Sequence, residues 1–121
     1  MIRKLILAIG FFIIHLSAHA QSSEPTFALL VKFKSNLPDS VALKTMNERK
    51  IEFEKLPGLV QKYYMREPAS GEFAGIYLWA TAQDCMDYRK SELAKTIKKA
   101  YQIHGNVRVE LFDVLFPLRR P

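Results

Sequence analysis

Two kinds of hydrophobic periodicity alternate along residues 27 to 116, in an order that few folds can satisfy. From Phe27 to Lys34 the period is two: Phe27, Leu29, Val31 and Phe33 fall on one side, Ala28, Leu30, Lys32 and Lys34 on the other. After the loop residues Ser35 to Pro38, Asp39 or Ser40 can cap a helix that runs to about Lys55. Its apolar positions Ala42, Leu43, Met46, Phe53 and Leu56 recur at helical steps, and Pro57-Gly58 stops it. Leu59 to Arg66 and Phe73 to Trp79 read as strands joined by the turn Pro68-Ala69-Ser70-Gly71. Thr81 is placed to cap a second helix reaching about His104. Ala82, Met86, Leu93, Ile97, Ala100 and Tyr101 form its expected buried stripe, with Cys85 nearby. Gly105 ends it, and Val107 to Phe116 is the last strand. Right-handed crossovers turn this β-α-β-β-α-β order into an α+β, ferredoxin-like antiparallel sheet with both helices on one face.

The third strand constrains assembly. Phe73, Gly75, Tyr77 and Trp79 make one face apolar, and Ala74, Ile76 and Leu78 make the other apolar too. A sheet with one wet face alternates with polar residues. Two helices cover one face only, so the sequence predicts that a second copy covers the other, in a homodimer. Cys85 is the only cysteine, so no internal disulfide can stabilise the fold, and the expected place of that thiol is the core.

The first twenty residues read as a signal peptide. Arg3 and Lys4 precede an apolar run from Leu5 to Leu16, and Ala18-His19-Ala20 is a small-x-small cleavage pattern. The run falls short of the roughly 18 residues of a membrane span. Residues 21–121 then form a single domain, expected to be exported to the periplasm or secreted, without a stable membrane anchor after cleavage. Loss of Arg3 and Lys4 lowers the formal charge from +6 to +4. That mild excess, outside the cell interior, makes nucleic acid an unexpected partner.

The candidate chemistry is aromatic rather than metallic. His104 is the one histidine beyond the leader, and a single histidine without a neighbouring ligand is no metal site. No nucleophile elbow, phosphate-binding glycine loop, or flavin or nicotinamide motif is present, so no cofactor is expected. What remains is a set of rings with a few polar ends. Met46 and Phe53 of the first helix, Tyr64, Tyr77 and Trp79 of the strands, Lys32 and Arg89 are the ligand-pocket candidates. Arg89 lies four residues before Leu93, on the expected apolar side of the second helix, where a guanidinium needs an acceptor. No side chain declares itself catalytic.

Three short segments carry a family resemblance. Pro57-Gly58-Leu59, Gly75-Ile76-Tyr77-Leu78, and Phe112-Asp113-Val114 with Pro117-Leu118 stand in an order and spacing that resemble the YdhR-like mono-oxygenase family, over about Phe27 to Leu118. Ala74 replaces the first of a pair of glycines in that pattern. The resemblance implies a dimeric α/β barrel, in which two ferredoxin-like subunits join their sheets. It also implies a cofactor-independent mono-oxygenase acting on a small aromatic or apolar molecule. Trp79 and Tyr77 would shape the pocket, and Arg89 or Lys32 would steady a substrate anion. Haem degradation, also found in that superfamily, would need a histidine inside the second helix and an asparagine on the first strand; neither is present. The alternative reading is a non-catalytic exported dimer that binds a small apolar ligand or a protein partner.

Overall fold

The computed structural model describes residues 24–121 and, before them, Gly10 alone. The expected leader, residues 1–20, otherwise lies outside the described residues. The elements follow as β1 (Phe27–Phe33), α1 (Asp39–Glu54), β2 (Leu59–Arg66), β3 (Phe73–Trp79), α2 (Ala82–Arg89), α3 (Glu92–Lys95), α4 (Ile97–Ala100) and β4 (Arg108–Asp113). The strands form one sheet in the order β2-β3-β1-β4, antiparallel throughout. This is the ferredoxin-like α+β arrangement that the element order requires. Among the described residues no helix is long and apolar enough to cross a membrane.

Register sorts the side chains into two faces. Lys62, Tyr77, Leu29 and Leu111 stand in one row across the four strands, and Tyr64, Gly75, Val31 and Val109 in the next. These rows face the helices. Their β1 and β3 members are buried and pack with Ala42, Met46 and Phe53 of α1, Cys85 and Tyr88 of α2, and Tyr101. The opposite face carries the rows Gln61, Leu78, Ala28, Phe112 and Tyr63, Ile76, Leu30, Glu110. Among the described residues no helix covers it, and Tyr63 and Phe112 are half exposed, at 50% and 48%.

Local chemistry explains most element ends. Pro57 and Gly58 close α1, and Gly58 adopts a φ of +76°, where a side chain would also overlap the Asp84 carboxylate. Thr81 caps α2 as expected: its hydroxyl accepts from the Asp84 amide at 3.1 Å. At the start of α1 the expected capping by Asp39 or Ser40 does not occur. Pro38 takes the cap position, and its carbonyl accepts from the amides of Val41 and Ala42.

The second helix departs from expectation. It does not run unbroken to His104 but divides into α2, α3 and α4. Ser91 is the cause. Its hydroxyl donates to the Tyr88 carbonyl at 2.5 Å and accepts from the Ala94 amide, ending one helix and capping the next. Ala82, expected in the buried stripe, is exposed, because α2 buries Cys85 and Tyr88 instead. Leu43 of α1 is likewise exposed, because the stripe that packs is Ala42, Met46 and Phe53. β4 is shorter than Val107 to Phe116; beyond Asp113 the chain leaves the ladder, and Leu115, Phe116 and Leu118 are exposed.

Candidate functional site

A small cavity lies between the helix-facing side of the sheet and α1. α1 contributes Met46, Arg49 and Phe53, β2 contributes Lys62 and Tyr64, and β3 contributes Gly75 and Tyr77. The spacing of four, three and four residues from Ala42 to Met46, Arg49 and Phe53 sets all four on one side of α1. The β2–β3 hairpin sets Lys62 opposite Tyr77 and Tyr64 opposite Gly75. Gly75 has a steric role there. A Cβ at that position would stand 3.0 Å from the Tyr77 ring and 3.6 Å from Lys62 Cε, so the missing side chain makes the space they occupy.

Lys62 is the most unusual group in the molecule. Its Nζ lies 3.4 Å from the centre of the Phe53 ring, 4.2 Å from that of Tyr64 and 4.3 Å from that of Tyr77. Among the described residues no carboxylate pairs with it. Burial lowers its pKa to about 7, and the charge of Arg49 pushes in the same direction. Arg49 donates to the Leu93 carbonyl at 2.8 Å and to Thr96 Oγ1 at 3.3 Å, while its buried Nε has no hydrogen-bond partner among the described residues. The phenols stay neutral: burial raises Tyr64 to about 12 and Tyr77 well above its ordinary value.

The enclosed space is only about 20 Å³, room for roughly one water molecule. A surface groove of about 220 Å³ lies against it, between α1 and β2. Phe53, Lys62 and Tyr64 line both, so these three side chains are the wall between groove and cavity. An electron-rich or anionic ring reaching the inner space would meet aromatic surface and two cations.

Four of the sequence candidates, Met46, Phe53, Tyr64 and Tyr77, come together here. Three stand elsewhere. Lys32 is on the opposite face of the sheet, in register with Ala74 and Arg108, where Glu67 and Glu72 pair with it; the hydrogen bond with Glu67 raises its pKa. Trp79 is fully buried beside the cavity rather than on its lining. It stacks with Tyr77 at 6.3 Å and Tyr88 at 5.3 Å, and its indole N–H has no acceptor among the described residues. Arg89 does not face the apolar interior. Cys85 and Tyr88 take the buried side of α2, and Arg89 is exposed beside a separate groove of about 260 Å³ that Lys98 also lines.

The two charged residues of the site were not among the candidates. Arg49 could have been found by its helical spacing from Met46 and Phe53. Lys62 had a weaker signal, alternation with Tyr64 across from Tyr77, because a register shift between Leu59 and Gln61 disturbs the count along β2.

Among the described residues no group of three His, Cys, Asp or Glu side chains stands together as a metal site. The model of the family described as "Putative mono-oxygenase ydhR" matches residues 28–120, from β1 through β4 and including every cavity residue named above. The chain belongs to this family. Its solved structural neighbours include a protein of unknown function from Nitrosomonas europaea, 10% identical at a TM-score of 0.65, covering 80% of this chain and 96% of that one. SnoaB, a cofactor-independent oxygenase from Streptomyces nogalater, is 13% identical at 0.64, covering 79% and 99%. A "Putative antibiotic biosynthesis monooxygenase" from Bordetella bronchiseptica is 13% identical at 0.62, covering 77% and 100%. At these identities the likeness concerns the fold. No curated protein matches the chain.

Proposed function

We propose that this family member is a cofactor-independent mono-oxygenase acting on a small aromatic or apolar molecule. The observation that carries the reading is an aromatic cavity with two cations, Arg49 and Lys62, and, among the described residues, no acid on its lining. SnoaB, which shares the fold, is described as a cofactor-independent oxygenase, and that supports the same reaction class. In this chemistry the ionised substrate is itself the reductant of dioxygen. A substrate that gives up two hydrogens, one from the reacting carbon and one from the ionised hydroxyl, and gains one oxygen on that carbon balances the reaction, and the second oxygen atom leaves as water. Rings would hold the substrate, and the two cations would stabilise negative charge as it develops. Substrate needs more space than the cavity alone provides, so it would enter from the α1–β2 groove as the Lys62 side chain swings aside. Oxygen uptake by the purified protein with a panel of phenols and hydroxyarenes tests this. Uptake, with one labelled atom from dioxygen in the product, is expected. No turnover across the panel would refute it.

A second reading draws on the uncovered sheet face. Tyr63, Ile76, Leu78, Leu30 and Phe112 make it apolar, and Phe116 and Leu118 lie exposed in the segment beyond β4. We propose that a second copy of the chain covers this face, in the homodimer that the third strand implies. If the phenol panel gives no turnover, the protein is better read as a dimeric module that binds an apolar ligand or a protein partner. The leader supports export in either case.

A further inference from the structure

We propose that Lys62 is the proton acceptor of the site: its amine takes the hydroxyl proton of a phenolic or enolic substrate that enters from the α1–β2 groove. The proposal rests on the mono-oxygenase reading for the oxygen chemistry after the proton transfer, but the transfer itself can be observed without turnover.

Position argues for it first. Lys62 stands in the wall shared by the groove and the inner cavity, with Phe53 and Tyr64, so a ring that passes Lys50, Glu54 and Gln61 of the groove meets the amine at the entrance to the inner cavity. Lysines at such positions ordinarily turn their ammonium to solvent or to a carboxylate. This one turns it onto three ring faces instead. Burial and the charge of Arg49 favour the neutral amine. Arg49 of α1 repels a second positive charge, and Lys50, also on α1, lines the outer groove. Glu54 of α1 is the one acid on that groove. Tyr64 on the same strand, Tyr77 on β3, Tyr88 on α2 and Tyr101 after α4 are all phenols whose pKa is raised, so they do not ionise to attract a proton to the amine. An amine that is half deprotonated near pH 7 suits a general base at ordinary pH.

The step balances by itself. The lone pair of Lys62 Nζ binds the substrate proton, the O–H bond breaks, and the electron pair stays on oxygen. The products are an ammonium and a phenolate or enolate in contact. The ammonium is then held by the same three rings that surround it, and Arg49 stabilises the anion. The substrate class is therefore a hydroxyarene or enol without a carboxylate, since the amine must meet a proton it can take.

4-Cyanophenol is a suitable probe, because its phenol and phenolate absorb at different wavelengths. At pH 7.5 the free probe is mostly protonated. Bound to the wild-type protein it is expected to show the phenolate spectrum, with well under one proton released per ligand in calorimetry run in two buffers. Lys62→Arg, which keeps the charge but cannot accept a proton, should release close to one proton for each phenolate bound. Lys62→Met should bind the probe as the neutral phenol, with a phenolate-to-phenol ratio at least about tenfold lower than wild type. Circular dichroism establishes that the variants are folded, and if Lys62→Arg is not, wild type against Lys62→Met decides. A wild-type complex with neutral phenol, the same phenolate signal in Lys62→Met, or no binding by folded wild-type protein overturns the proposal. Phenolate formation without oxygen uptake by any phenol leaves Lys62 as the base and removes the mono-oxygenase reading. Oxygen uptake with an unchanged pH profile in Lys62→Met does the reverse.

Discussion

Replacing Lys62 by methionine should stabilise the protein below neutral pH and lose that advantage as the pH rises. The lysine amine titrates at about 7 in the folded chain against 10.5 ordinarily. A difference of 3.5 units at about 1.36 kcal/mol each gives a ceiling of about 5 kcal/mol for holding the ammonium in place. The faces of Phe53, Tyr64 and Tyr77 attract the ammonium and offset part of that cost, so the expected value is about 3–5 kcal/mol. Below pH 7 the folded and unfolded chains both carry the proton, and the folded state bears the full cost. Between about 7 and 10.5 the unfolded chain binds more protons than the folded one, so wild-type stability rises with pH. Lys62→Met has no such group. The difference in unfolding free energy, variant minus wild type, should therefore fall by about 3–5 kcal/mol between pH 6 and pH 10.5. Urea unfolding followed by circular dichroism, at one fixed protein concentration, measures it. Taking the difference cancels the other groups that titrate in that window, and it cancels how well methionine packs. A gap that stays constant with pH would show that Lys62 keeps an ordinary pKa, and the account of the site would fail.

Further outcomes depend on single contacts. Arg49→Met should move the Lys62 pKa upward, since it removes the neighbouring positive charge; a carbon-detected NMR titration of the lysine side chains reads the direction. Gly75→Ala should cost about 1–3 kcal/mol in urea unfolding, because the new methyl meets the Tyr77 ring at 3.0 Å within a packed aromatic cluster. Thr81→Ala should cost about 1 kcal/mol by the same measurement, through the lost cap on the Asp84 amide. Ile76→Glu, at the centre of the uncovered face, should give a monomer in sedimentation equilibrium under conditions where wild type is a dimer; a wild-type monomer at high concentration would refute the proposed assembly.

The fold could be read from the chain because its signals are local. Alternation in β1 and β3 places Leu29, Val31, Tyr77 and Trp79 on one face whatever lies above them. The Pro57-Gly58 stop and the Thr81 cap act within a few residues. The second helix was harder for the opposite reason: its apolar spacing is continuous through Ser91, and the competition of that hydroxyl for backbone groups separates α2 from α3. Within α2 the buried side belongs to Cys85 and Tyr88, which leaves Arg89 exposed, away from the interior its spacing had suggested.

The site was a matter of tertiary structure. Four of its residues were visible as aromatic and apolar types, but their meeting needed α1 packed over β2 and β3. Lys32 and Lys62 look alike in composition and both sit on strands. One falls on the face where Glu67 and Glu72 neutralise it, and the other falls under α1, where rings surround it and Arg49 opposes its charge. A chain of letters sets which side chains exist and how they alternate. Which charge is buried, and what it faces there, depends on register and packing between segments far apart in sequence, and that desolvation is what turns an ordinary lysine into a candidate base.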